Sequence, residues 1–90
     1  MPALTKAFVT GQNTLSTSAE LLAAERSGRR RITIRNHDGS ILVYVGTTSS
    51  VTSSTGFALG AGATIALESD AAVYIIAASG TPLVSFIEEF

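Results

Sequence analysis

Within residues 29–46, a turn-forming cluster lies between two runs that are rich in β-branched residues. The cluster reads Asn-His-Asp-Gly-Ser over positions 36–40. Gly39 can adopt a positive φ without steric cost, and an Asp-Gly pair between alternating apolar runs is typical of a β-hairpin. In the first run Ile32 and Ile34 alternate with charged or polar residues. The pattern therefore predicts two paired strands, of which the first is apolar on one face only.

Two segments are apolar on both faces and therefore need to be covered on both. In residues 41–45, aliphatic side chains on one face alternate with Leu42 and Tyr44 on the other. Residues 71–78 have the same character. A large apolar patch left in water is an aggregation hazard, so the second faces are predicted to meet another chain. The residues that we predict to make this contact are Leu42, Tyr44, Tyr74 and Ile76.

The composition agrees with a chain whose surface is partly covered. Ninety residues make one domain with little stability to spare. Apolar residues make up 46% of the chain and charged residues only 14%, against roughly a quarter in ordinary soluble proteins. Oligomerisation or docking on a larger assembly would account for so few charges. The net charge of −1 gives no field that attracts nucleic acid or membranes.

Short strands separated by turns account for nearly the whole chain. Turn signals recur at the spacing of roughly 8–12 residues that is typical of β-sandwiches. The sequence predicts an all-β fold, a compact antiparallel β-sandwich or jelly roll of about seven or eight short strands. Residues 1–13 are interpreted as an N-terminal arm, with an edge strand over 4–10 that ends at Gly-Gln-Asn, and residues 14–90 as a single β-sandwich domain.

The segment 18–26 is compatible with either a helix or a strand. Thr17 and Glu20 have the spacing of a capping box, the Leu and Ala residues favour a helix, and Gly28 could end it. The neighbouring segments are all predicted strands, however, and a strand that turns Leu15, Leu21 or Leu22 inward is equally available.

The polar tract 46–56 contains one sizeable apolar residue, Val51. It is predicted to be an exposed loop or a loosely held edge strand. Two interpretations remain open for it, a flexible connection and a contact loop that orders on a partner.

No constellation of residues points to catalysis. The chain has no cysteine, and its single histidine, His37, lies in a predicted turn without further metal ligands nearby. Glu88 and Glu89 are adjacent on a strand and therefore point to opposite faces. No nucleophile elbow is present. We predict a protein that is not an enzyme and that uses no metal or cofactor. No run has the length of a signal-peptide core or a membrane span, which predicts a soluble protein made in the cytosol.

Five of the six basic residues lie within ten positions, at 26, 29, 30, 31 and 35. Arg29, Arg31 and Arg35 are predicted to line one strand face, with Arg30 on the other. Three interpretations are open. The cluster could be a solvated strand edge, a nucleic-acid contact, or a contact with acidic groups of a neighbouring subunit. The candidate acidic partners are Glu68, Asp70, Glu88 and Glu89.

Five segments carry a resemblance to known proteins. They are RRITIRN at 30–36, VYVG at 43–46, GFALGAG at 56–62, IAL at 65–67 and AVYIIA at 72–77. Over residues 14–90 the chain resembles small virion proteins of tailed phages and prophages. The resemblance implies a compact β-sandwich, either a head decoration (cement) protein or a small domain of a head or tail fibre. It also favours a strand over a helix at 18–26, and it offers no catalytic motif.

In decoration proteins of this kind, copies associate on the capsid lattice and brace neighbouring major capsid subunits. The resemblance therefore implies a capsid decoration protein on the virion surface, made in the bacterial cytoplasm, with the phage major capsid protein and copies of itself, as a homotrimer, for partners. Nucleic acid and membranes are not expected partners. The alternatives are a tail- or fibre-associated module, a carbohydrate-binding β-sandwich that uses Tyr44 and Tyr74 as platforms, and a nucleic-acid binder that uses Arg26–Arg35.

Overall fold

Eight β-strands make up the regular secondary structure of residues 7–90, which are the residues that this computed structural model describes. The strands are β1 Phe8–Thr14, β2 Glu20–Ala23, β3 Arg31–Asn36, β4 Val43–Gly46, β5 Phe57–Leu59, β6 Thr64–Leu67, β7 Val73–Ala77 and β8 Leu83–Glu89. The described part of the chain contains no helix, and hence none that could cross a membrane.

The strands form two four-stranded antiparallel sheets. The first sheet has the order β1-β8-β3-β6 and the second the order β2-β7-β4-β5. In β3 and β7 buried residues alternate with more exposed ones, as expected when one face of a strand meets a core. The prediction of an all-β antiparallel sandwich of about seven or eight strands is confirmed.

The core lies between the two inner faces. Ile32, Ile34 and Val84 from the first sheet and Val43 and Ile75 from the second are fully buried. Each such side chain contributes about 1.5–3 kcal/mol by leaving water. These β-branched residues also suit extended backbone, so that local preference and burial favour the same structure.

The predicted hairpin between residues 31–35 and 41–45 is wrong. β3 belongs to the first sheet and β4 to the second, so the Asn-His-Asp-Gly-Ser turn carries the chain across the sandwich. The buried Asn36 side chain donates hydrogen bonds to the carbonyls of Ile41 at 2.8 Å and Leu59 at 3.2 Å. Gly39 does not have a positive φ, as a tight hairpin turn would require. The asparagine amide therefore directs the chain away from β3.

The Asp38 side chain holds the same crossover in shape. Its Oδ1 accepts hydrogen bonds from the backbone N–H groups of Ser40 at 2.8 Å and Ile41 at 2.9 Å. These bonds, with that of Ser40 first, lower the pKa of the Asp38 carboxyl because they stabilise its ionised form. The turn is an Asx-type turn rather than a hairpin loop.

Residues 18–26 contain the strand β2, as the resemblance favours, and not a helix. Leu22 and Ala23 are buried in the core, and Leu21 pairs with Tyr74 of β7. Burial in the sandwich outweighs the local helix signals, whose energies are small.

β1 continues through the Gly-Gln-Asn sequence at which it was predicted to end. It pairs with β8 from Phe8 opposite Glu89 to Thr14 opposite Leu83, and so crosses the boundary predicted at residue 13. A Cβ atom on Gly11 would lie 2.5 Å from the Phe86 ring, so glycine allows the ring to pack there. The part of the predicted arm at residues 1–6 lies outside the described residues.

Residues 47–56 form a loop between β4 and β5, as predicted. Val51 is buried and packs between Gly46 and Gly56, where a Cβ atom would lie 2.7 Å and 2.8 Å from its Cγ2. Thr52 and Thr55 close a turn of this loop through their hydroxyl groups. The loop is therefore anchored at one apolar residue.

Candidate functional site

The outer face of the second sheet is apolar. We call it the apolar face and define it by the side chains that point away from the core, namely Leu21, Leu42, Tyr44, Ala58, Tyr74, Ile76 and Ala78. None of these seven side chains carries a charge, and their only polar atoms are the two tyrosine hydroxyls.

The apolar face is continuous across all four strands of the second sheet. Tyr44 of β4 lies opposite Ile76 of β7, and Tyr74 of β7 lies opposite Leu21 of β2. Directly opposed side chains of this kind contact one another, which leaves both rings half-buried. Leu21 and Leu42 remain 45% and 41% exposed at the margins.

The structure thus brings together the four apolar residues that were predicted to contact another chain. Their role in such a contact stays a prediction. Sequence reasoning missed Leu21 and Ala58 as members of the same face. The run of apolar residues at 21–24, which makes both faces of a strand apolar, was the available signal, but the helix signals of the same segment masked it.

The outer face of the first sheet is mostly polar. We call it the polar face and define it by its outward side chains, which are Phe8, Thr10, Gln12, Thr14, Arg31, Thr33, Arg35, Thr64, Ala66, Leu83, Ser85, Ile87 and Glu89. Hydroxyl, amide and ionic groups at most of these positions can be solvated by water.

Arg31 and Glu89 form an ion pair at one end of the polar face. The Arg31 Nε lies 2.8 Å from Glu89 Oε1 and its Nη2 lies 3.2 Å from Oε2. Hydrogen bonding to this carboxylate, and then its charge, raise the pKa of Arg31. One acidic partner predicted for a neighbouring subunit is therefore engaged within the chain.

Arg35 lies at the other end of the polar face, beside Gln12, Ser85 and Thr64 in the register of the sheet. A cleft of about 620 Å³ opens there, and its lining includes these four residues and Thr33. No hydrogen bond or ion pair joins the Arg35 guanidinium to any other residue within 7–90. Arg35 is thus exposed and unpaired in the described part of the chain.

The prediction that Arg29 shares a strand face with Arg31 and Arg35 is wrong. Arg29 precedes β3, and its side chain is 0% exposed and forms an ion pair with Glu88, which is 1% exposed, at 2.9 Å. Its guanidinium also donates hydrogen bonds to the carbonyls of Ala24, Ser69 and Ala71. The side chain therefore joins two loops to the end of β8.

The prediction for Arg29 failed because a position just before a strand need not follow the alternation of that strand. Arg26 also contacts the Glu88 carboxylate, with its Nε at 3.4 Å from Oε1. Glu88 is thus a partner of arginines within the chain. Whether Arg31 and Arg35 contact another subunit stays a prediction.

A second apolar surface lies between the two sheets, where the edge strands β5 and β6 border it. This groove has a volume of about 320 Å³, and its apolar lining includes Val45, Phe57, Ile65, Leu67 and Val73. Phe57 is 62% exposed. The groove opens into the core at an edge that no further strand covers in the described part of the chain.

The remaining chemical candidates have structural roles. His37 is exposed, and its Nε2 lies 2.7 Å from Ser85 Oγ. Among residues 7–90 no group of three or more His, Asp or Glu side chains is placed to hold a metal ion. Glu88 is buried while Glu89 points outward, so the two carboxylates lie on opposite faces, as predicted.

No protein-family model matches the chain, and no curated protein matches it. The fold is similar to part of a solved structure, the stem and receptor binding domain of the spike protein P1 from bacteriophage PM2. The TM-score is 0.66 and the sequence identity 15%, over 89% of this chain. The chain spans 32% of the length of that protein. At this identity the similarity establishes a shared sandwich fold.

Proposed function

We propose that this chain is a non-enzymatic structural protein of a phage virion, and specifically a decoration protein that binds the major capsid protein lattice through its apolar face. The observation that carries the proposal is the uncharged outer face of the second sheet. A β-sandwich surrounded by water normally has polar residues at these outward positions. The face is therefore built to be covered by protein.

Two independent likenesses support the virion assignment. The segments between residues 30 and 77 resemble small phage virion proteins, and the fold is similar to part of a phage spike protein.

Copies of a decoration protein need only modest affinity for each lattice position. We propose that the chain forms a homotrimer, in which part of the apolar face is shared between copies and the rest meets the capsid. Linked copies bind a lattice with an avidity well above that of each single contact. Leu42 and Ile76 would become buried in this assembly, while the polar face would remain in water.

The likeness to a stem and receptor binding domain favours a second candidate, a module of a spike or tail fibre. Such a module would lie at the vertices or the tail, in few copies, instead of covering the head. The two candidates share the virion assignment and differ in location and copy number.

Immunogold electron microscopy of particles from the encoding phage or prophage separates these candidates. Antibody against the purified chain should label the whole head surface if the chain is a decoration protein. Labels confined to vertices or tail would support the spike or fibre module. Absence of the chain from purified particles, checked by mass spectrometry, would overturn both.

Co-sedimentation of purified chain with capsids tests the docking face. Leu42→Lys should weaken capsid binding at least about tenfold, because a lysine ammonium would lose its hydration in the contact. Leu83→Lys is the matched control, since Leu83 is 38% exposed on the polar face and Leu42 is 41% exposed on the apolar face. Equal loss of binding in both variants would contradict the assignment of the apolar face.

A further inference from the structure

The end of the polar face around Arg35 has the properties of a small-ligand site. A cleft of about 620 Å³ crosses the sheet there, which lies within the range of about 300–1,000 Å³ that small-molecule sites occupy. Four different strands contribute to it, through Gln12 of β1, Ser85 of β8, Arg35 of β3 and Thr64 of β6. Side chains held on paired strands keep their spacing better than side chains on loops.

The two outward arginines of β3 differ in whether an acidic side chain pairs with them. Arg31 is neutralised by Glu89 through two hydrogen bonds, at 2.8 Å and 3.2 Å. Arg35 has no such partner among residues 7–90. Its guanidinium presents five N–H donors in a planar fork that matches a carboxylate. The cleft therefore offers one uncompensated positive charge.

The groups around Arg35 are suited to a polyhydroxylated ligand. Gln12 supplies an amide, which both donates and accepts, and Thr33 and Thr64 supply hydroxyls. Ile87 gives the floor an apolar patch on which the C–H face of a sugar ring can rest. We propose that this cleft binds an acidic saccharide of a cell-surface glycan, with the carboxylate on Arg35 and the sugar hydroxyls on the neighbouring amide and hydroxyl groups.

A carboxylated sugar fits the cleft better than a phosphate group or an acidic protein surface. One arginine balances a single negative charge, whereas a phosphate monoester carries about −1.5 to −2 charges at pH 7. An acidic protein surface would need neither the amide nor the hydroxyl groups. The cleft is on the sheet opposite the apolar face, so saccharide binding does not depend on the proposed capsid contact.

NMR titration of the ¹⁵N-labelled chain tests the site. The probes are glucuronate and N-acetylneuraminate, with methyl glucuronate and glucose as neutral counterparts and glucose 6-phosphate as the phosphate probe. Both acidic sugars should shift the amide signals of Gln12, Arg35 and Ser85. The neutral sugars should bind at least about tenfold more weakly, because they lack the charged partner of the guanidinium.

Arg35→Ala should lower the affinity for glucuronate by about tenfold to a hundredfold, whereas Arg31→Ala should change it less than about twofold. Both residues are exposed, so neither variant should unfold, which thermal denaturation will check.

Equal loss in the two variants, equal binding of methyl glucuronate, or tighter binding of glucose 6-phosphate would overturn the proposal. So would the absence of shifts with both acidic sugars at about 20 mM. Shifts produced only by a poly-glutamate peptide would make the face a protein contact instead. Capsid binding that persists in Arg35→Ala would show that the docking function is separate.

Discussion

The two sheets of this sandwich have similar inner faces and opposite outer faces. Inward, each sheet contributes fully buried β-branched residues, such as Ile34 in the first and Ile75 in the second. Outward, the first sheet presents hydroxyl, amide and ionic groups, and the second presents leucine, tyrosine and isoleucine side chains. The requirement for a core explains the inner faces, but only the surroundings of the working protein can explain the outer ones.

The contrast assigns a different environment to each sheet. Most residues on the polar face are compatible with water on their own, and the Arg31–Glu89 pair is one that solvent would screen. Residues on the apolar face gain free energy when another surface covers them. Four variants, from the largest expected effect to the smallest, test the difference between buried and outward positions and the difference between the two outer faces.

Arg29→Met should be the most damaging change. It leaves the Glu88 carboxylate buried without its main partner and leaves three backbone carbonyls with one donor fewer. Removing one partner of a buried ion pair costs about 3–5 kcal/mol. Urea denaturation followed by circular dichroism measures the loss.

The outward arginine of the same segment provides the control. Arg31→Ala removes an exposed ion pair and should cost no more than about 1 kcal/mol. The double variant with Arg29→Met and Glu88→Leu removes both buried charges. Any loss of stability that remains in it comes from the missing hydrogen bonds to the three carbonyls. If the double variant recovers full stability, the bonds to Ala24, Ser69 and Ala71 are unimportant. A similar cost for Arg29→Met and Arg31→Ala would contradict the buried position of Arg29.

Gly11→Ala tests the inner side of the first sheet. The added methyl group would lie 2.5 Å from the Phe86 ring, so the ring or the strand must move. Overpacking of this kind costs about 1–3 kcal/mol. The midpoint of thermal unfolding should fall accordingly.

The neighbouring position Gln12 is the matched comparison, because its side chain points outward from the same strand. Gln12→Ala should change the free energy of unfolding by no more than about 0.5 kcal/mol. Should Gly11→Ala be as stable as the unmodified chain, the packing of Phe86 over β1 would be wrong.

The double variant Leu21→Lys with Leu42→Lys compares the two outer faces directly. It should weaken self-association at least about tenfold, since two lysines would be buried in the contact, and leave the monomer nearly as stable. Light scattering over a wide dilution series gives the mass. Leu83→Lys on the polar face should leave the mass at each concentration unchanged. If the unmodified chain is a monomer at every concentration, the apolar face does not contact a second copy and must be covered by a different protein.

Much of the fold could be predicted because its determinants are local. Alternation of apolar residues identified most of the strands, and the spacing of turn residues indicated a sandwich. The sheet to which each strand belongs could not be predicted, since it depends on contacts between distant residues. Asn36 illustrates this, because its amide binds the carbonyl of Leu59, which lies 23 positions further along the chain.

The candidate site was predictable to the extent that it follows from alternation. Tyr44 and Ile76 lie on one face, and the pattern of two apolar faces in their strands indicated this. The burial and pairing of the clustered arginines could not be predicted in the same way. Arg29, Arg31 and Arg35 differ in burial and pairing because of where Glu88 and Glu89 lie, and their pairing depends on the register between β3 and β8.

The smallest effect is expected at Asp38, in the crossover that joins the two sheets. Backbone N–H groups of Ser40 and Ile41 lower the pKa of this carboxyl below its ordinary value of 3.8. The unfolded chain therefore binds a proton at Asp38 more readily than the folded chain does. The resulting stabilisation is present above the ordinary pKa and is lost as the pH falls through the lowered one.

Asp38→Asn should accordingly destabilise the protein at pH 7, and its urea midpoint should converge with that of the unmodified chain in acid. Asp70→Asn is the control, since the Asp70 carboxylate makes no hydrogen bond within residues 7–90. A constant gap between Asp38→Asn and the unmodified chain at every pH would mean that the ionised state of the carboxylate adds nothing to the link between the sheets. No gap at any pH would mean that Asn36 holds the crossover without Asp38.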